Sequence, residues 1–574
     1  MTGSQGTANR NNATQNSRIA DPIGMEVFTN RLLTITEEMG NTLIRSSFST
    51  NIKERRDCSV GLFDRAGRLV AQASHIPIHL GSLRGSVRAV LERFPVETMN
   101  PGEAYISNDP YLAGGTHMPD ISIVTPMFAD GEVRFFAANI AHHSDVGGSV
   151  PGSISAGART VFEEGIRIPP LKVMKGGAID EEMLYFIAQN TREPEERILD
   201  LKVQIATNQR GIQALDDLVR RMGLDAVTQA IEDVLSYTAI RLQRRIAELE
   251  GKRGSFTCHL DDDGSGGDPV PIKATVWVEN GTLVVDFDGT GPQARGALNV
   301  TTSALEATVF YATRALLDPR LMPNEGMMRS IDIRADKGLI VNAQFPAAVG
   351  ARSITCQKAA RAIFGAFREI LSEDKALSSG NDDLPTIVFS ARHARREGTY
   401  VYLETLGGGG PASSQMDGMS AIHVHVTNTS NLPVEALENE YPLSVDEYAL
   451  VEGSGGAGRH RGGLGIARQI SALSDGTIFS ARSDGHKFAA SGVAGGKDGA
   501  TARLYRNHGT DREESLNSKV THLVLTTGES IRIETPGAGG FGDPAERDRE
   551  AIERDIRDGL ITAEAAAVDY GPRG

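Results

Sequence analysis

The chain has 574 residues, 40% of them hydrophobic and 23% charged, enough to bury large cores in roughly two to four domains. A formal net charge of −15 excludes a nucleic acid or an anionic membrane surface as the main partner, since either calls for clustered Lys and Arg. Only three cysteines are present, Cys58, Cys258 and Cys356, with no CxxC pair; this excludes a disulfide framework and fits reduced thiols in a cytoplasmic protein.

Residues 1–21 form a polar tail that lacks the apolar run of a secretory signal and is expected to be disordered. No later stretch reaches the roughly 18 uninterrupted apolar residues of a membrane span. A first domain is expected over residues 22–250. Asp21 and Pro22 open a helix as N-cap and first residue, and Phe28, Leu32, Ile35, Met39 and Leu43 continue it at helical spacing to about Ser47. From 58 to 145 the pattern is one of short β segments broken by Gly, Pro and Asp turns. Residues 180–250 return to helix, with Asp200, Gln204 and Asn208 at i, i+4 and i+8 in a polar stripe expected to face solvent.

A middle domain, 251–383, alternates like strands to about 345, with Asn280-Gly281 at a hairpin turn, and then carries a helix over about 353–372. The last domain, 384–574, is mainly β and closes with two short helices, the first ended by Gly559 and the second capped by Thr562. The fold class expected is multi-domain α+β.

Nucleotide chemistry finds no support. "GVAGGKDG" at 492–499 lacks the spacing and the Ser or Thr of a P-loop and reads as a surface turn. No GxGxxG joins a strand to a helix, and the serines of "GGSVPGSISAG" lack the strand-turn-helix setting of a nucleophile elbow.

The histidines are more informative. Five of thirteen, His75, His79, His117, His142 and His143, fall between residues 75 and 143. In "THMPD", Pro119 disfavours a helix, so a turn brings the His117 imidazole near the Asp120 carboxylate, a pair suited to a borderline divalent metal. His142 and His143 end a strand, where neighbours point to opposite faces; one is a ligand and the other its neighbour. Asp57 is a further candidate, with a surface ion pair to Lys53, Arg55 or Arg56 as its alternative.

Several long stretches carry a family resemblance: "SFSTNIKERRDCSVGLFDRAGRLVAQASHIPIHLGS", "SNDPYLAGGTHMPDISIVTPMF", "AHHSDVGG", "FEEGIRIPPLKV" and "ETPGAGGFGDPAERD". In this order, from about residue 22 to the C-terminus, they resemble the hydantoinase B and oxoprolinase family. The resemblance implies a B-type subunit that opens a cyclic amide after an A-type ATPase partner, in a heterotetramer or larger heteromer, has used ATP to phosphorylate its carbonyl oxygen. It also implies a mononuclear metal, zinc, manganese or iron, held by Asp57, His117, Asp120 and His142. Glu164 in "FEEGIRIPP" is then the candidate proton shuttle, and His143 the second candidate catalytic side chain. Two alternatives accompany this reading: a subunit of an acetone- or acetophenone-type carboxylase, and a non-catalytic assembly subunit with a structural metal. Four ligands without a cysteine speak against the last.

Overall fold

The computed structural model describes residues 21–73, 76–383, 385–393 and 398–571. The polar tail before Asp21 and His75 lie outside the described residues. The chain is α+β and multi-domain, with four sheets and a β-rich C-terminal part.

Asp21 caps α1 (Pro22–Ser46) by accepting from the Gly24 amide at 2.9 Å, and the apolar positions spaced along that helix are its buried face. A short α2 (Thr50–Lys53) follows and leads into a seven-stranded antiparallel sheet. Its strands are β1 (Cys58–Asp64), β2 (Leu69–Gln72), β3 (Ala104–Ser107), β4 (Asp120–Ala129), β5 (Glu132–His142), β6 (Leu171–Lys175) and β7 (Ala178–Ile179), in spatial order β2-β1-β5-β4-β3-β6-β7.

Both faces of this sheet are covered, which explains why β1 is buried along its whole length. Phe135, Ala137 and Ala141 of β5 join the core under α1, while Phe136, Ala138 and Ile140 join the core under α3 (His79–Arg93). Alternation along the strand assigns successive residues to the two cores. The sequence pattern reads this region as β throughout, so α3 is a departure. Its cause is the glycine content: a Cβ on Gly81 would meet the Ser303 carbonyl oxygen at 1.9 Å, and one on Gly85 the Gly114 oxygen at 2.4 Å. Glycine lets α3 lie against neighbouring backbone at the expense of helix propensity.

Three helices follow the sheet: α4 (Glu181–Gln189), α5 (Pro194–Met222) and α6 (Leu224–Ala247). The polar stripe on α5 does not face solvent. Asp200, Gln204 and Asn208 are fully buried against β4 and β5, where the Gln204 and Asn208 amides donate to the Ile121 and Ile123 carbonyls, each at 2.9 Å. A stripe at helical spacing looks the same whether water or a buried strand satisfies it.

Beyond residue 250, a four-stranded sheet runs Ile331–Arg334, Thr282–Asp286, Val270–Glu279, Arg253–Leu260, and Asn280-Gly281 makes its hairpin with both φ angles positive, 51° and 75°. Here the strand-like expectation misses α7 (Thr302–Leu317), which is buried on most sides and so shows little polar face, and the short α8 (Glu325–Met328). Helix α9 (Arg352–Arg368) follows and packs on that sheet. Two further sheets of four and five strands make the C-terminal part. The Thr562 hydroxyl accepts from the Ala565 amide to cap the last helix, after Gly559 turns at φ 68°. Among the described residues the three cysteines are free and buried, and no helix is long and apolar enough to cross a membrane.

Candidate metal centre

Strand register builds the site. β1, β5 and β4 are adjacent, Cys58 pairs with Ala141, and Asp120 sits opposite His142. Asp57, His142 and Asp120 therefore form a row across three strand ends, closed by a 2.9 Å bond from the His142 amide to the Asp57 carbonyl. The "THMPD" turn adds His117, whose carbonyl accepts from the Asp120 amide at 3.3 Å. Ligand atoms of His117, Asp120 and His142 all lie within 4.8 Å of one another, and all three residues are buried.

The hydrogen-bond partners of each side chain leave a gap. Asp120 Oδ2 accepts from the Thr116 hydroxyl at 2.9 Å and from Arg352 at 2.8 Å. His117 Nδ1 lies 3.3 Å from the Gly350 carbonyl, which can only accept, so this nitrogen carries the proton. That leaves His117 Nε2 as a lone pair facing Asp120 Oδ1 at 3.0 Å, both buried and neither in a hydrogen bond. Two buried acceptors at this distance repel unless a cation lies with them.

Electrostatics agree. Burial, reinforced by Arg352, pushes the His117 pKa down to about 4, and burial with His117 beside it holds His142 well below the ordinary range. Both imidazoles are neutral and able to ligate near pH 7. Burial alone would raise the Asp120 carboxyl, but it is held well below the usual carboxylate range, and the cation bonded to it is Arg352 on Oδ2. Asp57 is pushed up to about 7 by burial, partly countered by Arg55, so it gains from a neighbouring cation. The His142 ring is fixed by Asn51 of α2, whose amide nitrogen lies 2.9 Å from Nδ1 and donates to the His142 carbonyl at 2.6 Å.

The site opens into a cavity of about 40 Å³ lined by Asp57, His79, His117 and His142 together with Arg352 and Arg482. His79, at the start of α3, is a site residue that the sequence pattern counts among the clustered histidines but gives no role. Its Nε2 lies 3.7 Å from Asp57 and 3.8 Å from Asp120, and its Nδ1 lies 3.1 Å from the Ser59 hydroxyl. Arg352 and Arg482 come from 232 and 362 residues beyond Asp120, numbering differences that no local motif reveals.

His143 and Glu164 do not line this cavity. His143 faces α5: Arg197 donates to its Nδ1 at 2.8 Å and its Nε2 donates to Gln204 at 3.0 Å, with burial and then Arg197 lowering its pKa to about 4. Glu164 accepts from the Val349 amide at 3.1 Å and the Gly350 amide at 2.6 Å, and burial raises it to about 7 despite those bonds. It thereby fixes the loop whose carbonyl holds His117.

The family model described as hydantoinase B/oxoprolinase matches residues 21–544. The chain belongs to this family. It is 32% identical to a putative B-type subunit of a D-/L-hydantoinase from a Pseudomonas species, over 96% of this chain and 95% of that one. A 5-oxoprolinase of Pestalotiopsis fici is 36% identical over 91% of this chain, which spans only 41% of that longer protein. Among solved structures, the ATP-dependent caprolactamase of Pseudomonas jessenii superposes with a TM-score of 0.88 at 26% identity over 96% of both chains. An acetone carboxylase shares the fold, with a TM-score of 0.84 at 19% identity over 96% of this chain and 80% of that one.

Proposed function

We propose that this chain is the B-type subunit of an ATP-dependent cyclic amide hydrolase, acting in the cytoplasm with an A-type ATPase partner in a heterotetramer or larger heteromer. The observation that carries the reading is the pair of buried acceptors, His117 Nε2 and Asp120 Oδ1, 3.0 Å apart at the strand ends of a hydantoinase B/oxoprolinase chain. Asp57, His117, Asp120 and His142 would hold one divalent metal, zinc, manganese or iron, ions that the mixed imidazole-carboxylate set suits. When bound, such an ion lowers the pKa of water toward about 7 or polarises a substrate oxygen.

The remaining residues position this set. Thr116 and Arg352 occupy Asp120 Oδ2 and so direct Oδ1 inward. Glu164 orders the Val349–Gly350 loop and through it the His117 tautomer, while His143 ties the end of β5 to α5. Both are positioning residues in this reading. Arg482, whose pKa burial and Arg352 lower to about 9, lines the cavity with Arg352 and is a cation available to an anionic group on the ring. A resonance-stabilised ring amide resists water, and phosphorylation of its oxygen in the partner supplies the better leaving group.

A carboxylase subunit would use the same site with bicarbonate as co-substrate. Co-purification with an A-type partner and a turnover screen over hydantoins, 5-oxoproline and larger lactams tests the proposal. ATP-dependent ring opening without bicarbonate is expected; turnover only of ketones with bicarbonate would replace it by the carboxylase reading.

A further inference from the structure

His79 stands in the wall of the metal cavity outside the set of candidate ligands, and its surroundings fix which of its nitrogens carries the proton. It is the first residue of α3, buried, with its ring reaching back to β1. Its Nδ1 lies 3.1 Å from the Ser59 hydroxyl, and the same hydroxyl oxygen accepts from the Ile76 amide at 3.3 Å. A serine hydroxyl has one hydrogen to give. Among the described residues the one acceptor within its reach is His79 Nδ1, so Ser59 donates to that nitrogen. The reverse arrangement would place two donors on Ser59 and leave its own hydrogen buried without an acceptor. The imidazole proton is therefore on Nε2.

That nitrogen faces the carboxylates, 3.7 Å from Asp57 Oδ1 and 3.8 Å from Asp120 Oδ1. Both distances exceed a hydrogen bond, and a protonated nitrogen has no lone pair for a metal. His117 differs on both counts, with its proton on Nδ1 and its Nε2 lone pair 3.0 Å from the same Asp120 oxygen. Two histidines thus meet Asp120 Oδ1 in opposite tautomers, one offering a lone pair and the other a hydrogen. The arginines that line the cavity are already engaged, Arg352 with Asp120 Oδ2 at 2.8 Å and Arg482 with the Gly350 carbonyl. At about 40 Å³ the cavity holds water-sized groups rather than a ring.

Resting on the function proposed above, we infer that His79 is a catalytic hydrogen-bond donor: its Nε2–H holds the oxygen of the attacking water in the metal cavity and favours the anionic form of that water. Ser59 is the positioning residue that fixes the tautomer. Because Nε2 carries a proton and Nδ1 is taken by Ser59, His79 is not the base that deprotonates the water. The ring's own oxygen is the other group such a donor could meet; it bears the phosphoryl group by this stage, and the test separates the two.

The full-length chain loaded with cobalt(II), whose visible spectrum reports small anions entering the metal cavity, gives a readout apart from turnover. Wild type, His79→Phe, His79→Gln and Ser59→Ala are titrated with azide and with 2-pyrrolidinone, beside metal content and ring opening with the partner. His79→Phe is expected to keep about one cobalt per chain, to bind azide about tenfold more weakly and the lactam as before. Its kcat should fall about 100-fold with KM little altered. His79→Gln, which retains an N–H donor, should recover part of both losses, and Ser59→Ala, which lets the ring take either tautomer, should fall between wild type and His79→Phe. If His79→Phe proves unstable, Ser59→Ala carries the same comparison. Loss of cobalt from His79→Phe would make His79 a ligand, and weakening of the lactam alone would assign the donor to the ring oxygen; either result overturns the inference, as do unchanged azide affinity and kcat. A wild type that loads no cobalt would overturn the metal site and this inference with it. If azide binding weakens as expected and no ring is opened, the donor stands and the proposed function falls.

Discussion

Two regions of this molecule bury clusters of ionisable side chains, and they differ in one respect. Where α9 meets the C-terminal part, Lys358 and Lys519 each lie 3.3 Å from Asp484, Lys519 is 3.3 Å from Asp262, and Arg361 is 2.8 Å from Asp382. Each of these three aspartates has a protein cation beside it. At the strand ends, Asp120 has Arg352 on one oxygen, yet its other oxygen faces the lone pair of His117. Burial and charge are common to both regions; at the strand ends the unpartnered His117 Nε2 and Asp120 Oδ1 face each other at 3.0 Å, which marks a place for an added cation.

The sharpest way to break this comparison is to alter the acceptor pair. His117→Ala and Asp120→Ala should each reduce coupled ring opening to background; His117→Ala should keep the thermal midpoint within a few degrees, whereas Asp120→Ala should lower it, because buried Arg352 loses its partner, and activity assays beside calorimetry check both. His142→Ala should behave like His117→Ala. His143→Ala should instead lower stability, since it strips a partner from buried Arg197 and Gln204.

Asp484→Ala tests the other region. It should cost about 3–5 kcal/mol of stability, because two buried lysines lose their partner, while metal content per folded chain stays unchanged. Denaturant titration with elemental analysis of the folded fraction measures both. Glu164→Gln should weaken metal binding by about 10–100-fold, the usual effect of disturbing a ligand's support, without abolishing it. Chelator competition reads that shift.

The smallest effect concerns pH. Asp57 and Glu164 are raised to about 7, from ordinary values of 3.8 and 4.5, so between those limits the folded metal-free chain holds protons that the unfolded chain has lost. The stability they contribute is present below the ordinary values and is lost as pH rises through about 7. The lowered histidines act oppositely but only below about 6.5. Chelator-treated protein should therefore lose thermal stability between about pH 6.5 and 7.5, and metal loading should reduce the loss by removing the part due to Asp57.

Part of the candidate site is legible in the sequence because it is local: a turn places His117 against Asp120, and strand alternation sends His142 and His143 to opposite faces, while the choice of His142 and the addition of Asp57 come from the family resemblance. What supports these ligands is not legible there. Arg352, Arg482 and the Gly350 carbonyl reach the site by tertiary packing, and the α5 stripe reads as solvated because a buried carbonyl and a water molecule make the same demand on an amide. Two of the overlooked helices, α3 and α7, escape detection for opposite reasons. Glycines weaken the helical signal of α3, and burial on most sides hides the amphipathic period of α7.

The central claim is that Asp57, His117, Asp120 and His142 hold one divalent metal. Elemental analysis of protein purified without chelator, wild type beside Asp120→Ala, tests it most directly. The account predicts close to one zinc, manganese or iron per wild-type chain and less than about a tenth of that in the variant. Equal metal content in the two proteins, or a wild type without metal that opens rings at full rate with its partner, would contradict it.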